Sequence, residues 1–457
     1  MTKPRPPSTS TCSWQASATA LEKRCHCLSK MSYQIWALGS NGNGQLGIGN
    51  HDDVSTPIQC LFNADGLRDT LKSRPLRTIS GGNHTFLLTE DGCAYACGQN
   101  DDGRCGLKSQ ATVTSFEKVS FTAERPGNPP RVIDKFYHVA ATWSSTMFVT
   151  WNEETRGTEI YSCGTGDYGE LAQGAGITQS ESPTFVAAFR ERVNHMAASA
   201  RHIVMVFEDG TIRGCGSGRH GQLGDVLAET TPAGAPPMSM WSLSKLSLPN
   251  DIHDGRPVKS YSIACGMRFT VILAHNTAGG PVTHERKIWL LGCDGKYDKF
   301  NLRQDIADAQ IGLSHIAEVS SCWNTVHFNS RYSPIVSCGR GDKGQHAPAI
   351  RVPPWPVHNM KAGSEHVIAQ STIWVAVVIW GWGEHGNCGP VDAEGQLLGD
   401  KGYYMVEAKD LPGARGIWPL GAGCATTFIG SHNLEGYTTV LGVPVEGMTP
   451  EREYLYE

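Results

Sequence analysis

The pattern Leu38-Gly39-Ser40-Asn41-Gly42-Asn43-Gly44-Gln45-Leu46-Gly47 returns six more times along this chain in weakened form. Its counterparts start at Gly98, Gly164, Gly216, Gly292, Gly339 and Gly381, so the spacings are 59, 66, 52, 76, 47 and 42 residues. A fixed short motif at irregular spacing marks a constant core that carries variable insertions. A second motif alternates with the first. Gly81-Gly82-Asn83-His84-Thr85 opens an apolar run, and related runs occupy 142–149, 199–206, 266–273, 321–328, 363–370 and 423–430.

Glu90-Asp91-Gly92 joins the two motifs in one unit, and Glu208-Asp209-Gly210 does the same in another. Such a link is a hairpin turn between two strands. Each unit therefore reads as two inner antiparallel strands, with poorer outer strands in the variable segments. One such sheet cannot bury both of its faces, whereas seven packed around an axis can, and they leave little exposed edge. Glycine makes up 52 of the 457 residues and only 18% are charged, which suits short strands and tight turns rather than coiled coils or disorder. The expected fold is all-β, a seven-bladed β-propeller. The chain begins with the first motif and ends with the second, so residues 33–46 and 417–429 should share one blade and close the ring.

The first thirty residues stand apart. Lys3, Arg5, Lys23, Arg24 and Lys30 face a single acid, Glu22, for a net of +4, while the whole chain carries −5. The remainder therefore stands at −9. This segment is rich in Ser and Thr and shows no apolar periodicity, so it reads as a disordered basic tail or as an extension ahead of Met31. The propeller is expected over 31–435, with a tail over 436–457. A chain that starts at Met31 is expected to fold and bind its partner as the full chain does, and loss of partner binding would overturn this. No secretory signal is evident, so the fifteen cysteines read as free thiols of a reducing compartment. Cys97, Cys163, Cys215 and Cys338 each precede a repeat glycine and read as small buried residues. Cys25-His26-Cys27 lacks two further ligands at useful spacing.

Paired motifs of this kind resemble the repeats of the regulator of chromosome condensation family of seven-bladed propellers. The resemblance covers about 400 residues, from Tyr33 to near Ile429. Ser145 and Phe269 stand where other copies have His, and Gly292-Cys293-Asp294-Gly295 lacks the Gln-Leu-Gly ending. A narrower likeness lies in Ala362-Gly363-Ser364-Glu365-His366, Trp380-Gly381-Trp382-Gly383-Glu384-His385-Gly386-Asn387-Cys388-Gly389-Pro390 and Gly423-Cys424-Ala425-Thr426-Thr427. These stretches are similar to a fungal branch of the family, the alpha-tubulin suppressors. That likeness implies a partner, a small CSL-type metal-binding protein that carries electrons for diphthamide synthesis. It also implies support of Elongator-dependent modification of the tRNA wobble uridine, with Elongator an indirect partner and the cytoplasm and nucleus as the location.

No nucleophile elbow, phosphate-binding loop or zinc-protease helix is present in the sequence, so no catalytic residue, cofactor or resident metal is expected. His84, His202 and His366 share one repeat position, which points to a structural hydrogen bond for His84 and His202. The stretch from Glu384 to Cys388 offers at most half a metal site. Both motifs end at the same face of the disc, so Glu365 and His366 should lie beside Trp382, Glu384, His385, Asn387 and Cys388, with Cys322 and Trp323 from the next blade. This mixture of Trp, His and carboxylate groups is expected to be the partner-binding surface. The alternative function is a Ran-type guanine-nucleotide exchange factor or a chromatin or cytoskeletal regulator. The −9 balance argues against binding nucleic acid through its phosphates. No membrane span is present in the sequence.

Overall fold

The protein is described here by a computed structural model. It describes residues 31–63, 70–109, 111–125, 127–226, 239–248, 260–275, 286–293, 296, 298–310, 316–330, 333–347, 357–371, 375–392 and 402–434. The basic segment 1–30, the Cys25–Cys27 cluster and the tail from 435 onward lie outside these residues.

Seven antiparallel sheets stand around a central channel. Blade 1 is built from strands Pro75–Ser80, His84–Thr89, Ala94–Gly98 and Val113–Lys118, in that order from the axis outward. Blade 2 has His138–Ala141, Ser145–Asn152, Gly157–Thr165 and Gln179–Phe189. Blade 3 runs from Val193–Ser199 through His202–Phe207 and Ile212–Ser217 to Ser239–Ser247. Blades 4 and 5 each show three described strands, the first of them Ser260–Cys265 and Ile316–Ser321. Blade 6 has Val357–Ala362, His366–Ser371, Ala376–Gly381 and Tyr404–Glu407.

Blade 7 closes the ring from both ends of the described chain. Its inner strands Gly416–Ala422 and Thr426–Leu434 come late in the sequence, and its outer strands Met31–Gly39 and Val54–Gln59 come first. Met31 pairs with Leu434 and the register runs unbroken to Gly39 opposite Thr426. The expected closure is thus observed. Gly39 has φ +120, and a methyl group there would fall on the Ala425 carbonyl, so the turn out of this strand requires glycine.

The buried apolar side chains form seven clusters, one at each interface between blades. Ile35, Leu87, Phe116 and Phe428 join blades 7 and 1, and Phe86, Phe148 and Tyr161 join blades 1 and 2. Inner strands are therefore covered on both faces. All six residues of His84–Thr89 are buried, which is why this strand shows no polar alternation.

Two elements depart from the expected strands. Helix α1, Leu302–Gln310, sits between blades 4 and 5, where the degenerate motif after Gly292 lacks its usual ending. Leu302 and Ile306 are buried one helical turn apart, and the Asp298 carboxylate accepts from the Leu302 and Arg303 amides at 2.7 and 3.0 Å. A hairpin, Phe121–Arg125 with Asn128–Ile133, lies between blades 1 and 2. Its Arg125 and Arg131 pair with the buried Glu159 carboxylate, which also accepts from Asn152 and Tyr161 at 2.8 Å. The paired charges and neutral donors satisfy an acid that could not otherwise be buried.

Candidate protein-binding face

The repeated turns lock each blade to the next. Asn41 Oδ1 accepts from the Leu46 amide at 3.0 Å, and Asn100 Oδ1 accepts from the Cys105 amide at 2.8 Å. The carbonyl that precedes the turn's buried residue then faces the following blade. Gln45 accepts from the Cys97 thiol, Gln222 from the Thr270 hydroxyl at 2.8 Å, Gln345 from the Trp380 indole at 3.1 Å and Asn387 from the Thr427 hydroxyl at 2.7 Å. Cys97, Cys163, Cys215 and Cys338 are buried and free, as their shared position suggests.

The repeated histidine does a related job. His84 Nε2 lies 2.9 Å from Thr146 Oγ1, His202 Nε2 lies 3.0 Å from Thr270 Oγ1, and His366 Nε2 lies 2.8 Å from Thr427 Oγ1. Each pair crosses an interface between blades, and all three rings are fully buried. Burial lowers the His84 pKa to about 3 and those of His202 and His366 to about 4, so the rings are neutral.

Around the channel mouth, backbone hydrogen bonds link one loop to the next. Met267 donates to the Trp323 carbonyl, Trp323 to Ser364 and Ser364 to Gly423, at 2.7, 2.8 and 2.9 Å. On the far side, Gly82 donates to the Trp143 carbonyl and Trp143 to Ala200. The Trp143 and Trp323 rings meet with centroids 6.1 Å apart at 43°. The repeat copy read from Ser321 in fact starts one residue later. The Cys322 amide bonds the Thr325 carbonyl as Gly81 bonds His84, which puts Trp323 level with Trp143 and Gly82.

The nine site residues expected from sequence do come together on this face, at different depths. Trp382 is 39% exposed, and Glu384 and His385 are exposed. The Trp382 amide donates to the Glu365 carbonyl at 2.9 Å, which fixes blade 6's two motifs side by side. Lys343 Nζ sits 5.6 Å from the Trp382 ring centroid. His385 Nδ1 lies 3.4 Å from Asp53 of blade 7. Trp323 is half-buried.

The other five side chains lie beneath the surface. Asn387 is spent on the Trp382 carbonyl at 2.9 Å, and Cys388 is buried in the interface between blades 6 and 7. Cys322 packs between blades 5 and 6, its thiol pushed up by burial. Glu365 is buried, held by Gln345 at 2.7 Å and Arg340 at 3.3 Å. His366 bonds Thr427 as described. These five are corrected from surface contacts to framework, because a neighbouring blade covers each one. Sequence reading also missed Trp143, Lys343 and Arg340. Starting the copy read from Ser321 at Cys322 instead aligns Trp323 with Trp143, which would have revealed it. Among the described residues, no three His, Cys, Asp or Glu side chains converge as metal ligands, and no helix is long and apolar enough to cross a membrane.

This architecture is that of the regulator of chromosome condensation propellers. Residues 34–88 and 80–104 both match the Regulator of chromosome condensation (RCC1) repeat. The chain is a seven-bladed propeller, and those two stretches of it are similar to RCC1 repeats. It is 28% identical over 410 residues to the RCC1 repeat-containing protein C10F6.04 of Schizosaccharomyces pombe, covering 86% of this chain and 98% of that one. It is 25% identical over 389 residues to the secretion-regulating guanine nucleotide exchange factor of Mus musculus, covering 78% and 75% of the two chains. The solved structure of yeast RCC1 (Prp20) superimposes with a TM-score of 0.57 at 19% identity, covering 95% of this chain and 97% of that one.

Proposed function

We propose that the protein is a non-enzymatic scaffold whose repeat-turn face binds a small CSL-type metal-binding protein, as the likeness to the alpha-tubulin suppressor branch implies. In this reading it supports diphthamide synthesis and Elongator-dependent wobble uridine modification, in the cytoplasm and nucleus. The observation that supports a docking face is the 39% exposure of Trp382, a large aromatic at the junction of blades 5, 6 and 7. Lys343 sits over its ring, and Glu384, His385, Trp323 and Trp143 lie on the same face. A partly exposed indole with polar neighbours is the usual composition of an interface anchor.

Recovery of the small CSL protein in a pull-down from the native cell, identified by mass spectrometry, tests the partner. Trp382→Ala is expected to cost about 2 kcal/mol of binding, roughly thirtyfold in affinity, with the melting temperature little changed. Unchanged affinity at unchanged stability would move the contact away from this face. The second reading, a guanine-nucleotide exchange factor, draws on the name of the murine relative. Recovery of Ran with nucleosomes in the same pull-down would favour it.

A further inference from the structure

The central channel encloses a cavity of about 270 Å³, walled by the innermost strands. The Trp143 and Trp323 pair lies at one end of it, where the innermost strands finish. Arg77, three residues from the end of strand Pro75–Ser80, lines the wall toward the other end.

Arg77 has an unusual set of neighbours. Its Nη2 donates to Nδ1 of His138 at 2.8 Å and lies 3.5 Å from the Tyr137 carbonyl. His138 Nε2 lies 2.9 Å from the Val193 carbonyl. A guanidinium only donates and a carbonyl only accepts, so His138 is neutral with its proton on Nε2. The ring is thus a rigid acceptor that holds the guanidinium in place. Burial, and next the Arg77 charge, hold the His138 pKa down to about 4. Burial and Arg77 also lower that of His195 on the next blade. Among the described residues, no carboxylate forms an ion pair with Arg77.

A partly buried cation without a counter-charge, on the wall of a polar cavity, is a setting that an anion would satisfy. We propose that this end of the channel is an oxyanion site, with Arg77 as its charged ligand and His138 as the residue that positions the guanidinium. The ligand class is a small phosphate-like oxyanion, because a guanidinium offers paired donors that match two oxygens. This site is separate from the Trp382 face.

Calorimetric titration of the full chain with inorganic phosphate, against sodium chloride at matched ionic strength, tests the proposal. Saturable phosphate binding is expected. Arg77→Met should weaken it about tenfold or more, while Arg77→Lys, which keeps the charge, should retain part of it. Arg219→Met, on the opposite face, should leave it unchanged. His138→Leu removes the acceptor without touching the charge and should weaken binding several-fold, which keeps the test open if Arg77→Met fails to fold. No saturable phosphate binding by the unaltered chain, or unchanged affinity in both Arg77→Met and His138→Leu, would overturn the site.

Discussion

Removal of residues 417–457 is expected to yield a chain that aggregates and shows no cooperative melting. The deletion takes away the strand that pairs Met31–Gly39 over nine unbroken positions. It also removes Phe428 and Ile429, which are fully buried on opposite sides of blade 7. Two apolar interfaces then open to water, and the bare edge of Met31–Gly39 becomes free to pair with other chains. The Trp36 indole also loses its 3.0 Å bond to Ser431. Light scattering and a thermal melt of the shortened chain check this. A soluble, cooperatively unfolding product would show that the ring does not depend on closure. Addition of a peptide spanning 416–434 is expected to restore part of the soluble fold.

Mild acid is expected to destabilise the ring steeply. His84, His202 and His366 are neutral and buried, with pKa values of about 3, 4 and 4 against an ordinary 6.5. The unfolded chain therefore binds protons that the folded chain refuses. The stability linked to these rings is fully present above pH 6.5 and falls as the pH drops toward 4. Each histidine contributes a slope of up to about 1.4 kcal/mol per pH unit across that window. Between pH 6.5 and 5 the three together remove on the order of 5 kcal/mol, which rivals the whole stability of a typical domain. Urea midpoints at pH 7.5, 6 and 5 measure the loss. His84→Gln and His202→Gln should each be less stable at pH 7.5 yet show a shallower decline with acid. An equal decline in these variants would assign the acid sensitivity to other groups.

The two predictions draw on features that were readable to different degrees. The order of the motifs, first at the start and second at the end, already implies that the chain's ends meet in one blade. The histidine position was readable as structural for His84 and His202, because a residue shared by several blades serves the repeat. His366 occupies the same position, yet its place in the distinctive Gly363–His366 stretch suggested a surface contact. The structure puts it in the same buried bond to the next blade's threonine.

The degenerate copy after Gly292 shows another limit. A repeat turn and a short helix both begin with polar residues followed by an apolar one, and Leu302 and Ile306 commit the segment to helix only because blades 4 and 5 offer an apolar groove between them. Burial of Glu159 is similar, since Arg125 and Arg131 reach it from a hairpin that lies about 30 residues earlier in the chain. Trp143 and Trp323 are far apart in sequence, and only the ring brings them to one mouth.

By itself the sequence determined the number of blades, the turn chemistry and the way the ring closes. Those properties depend on local pairing and on glycine and asparagine at set offsets, which repeat with the chain. The tertiary structure alone decided which motif residues reach solvent. Trp382 and Cys388 belong to the same turn, and the difference between an exposed indole and a sealed thiol comes from the blade that packs against one and leaves the other uncovered. That cover is supplied by residues distant in the chain, so no local pattern encodes it.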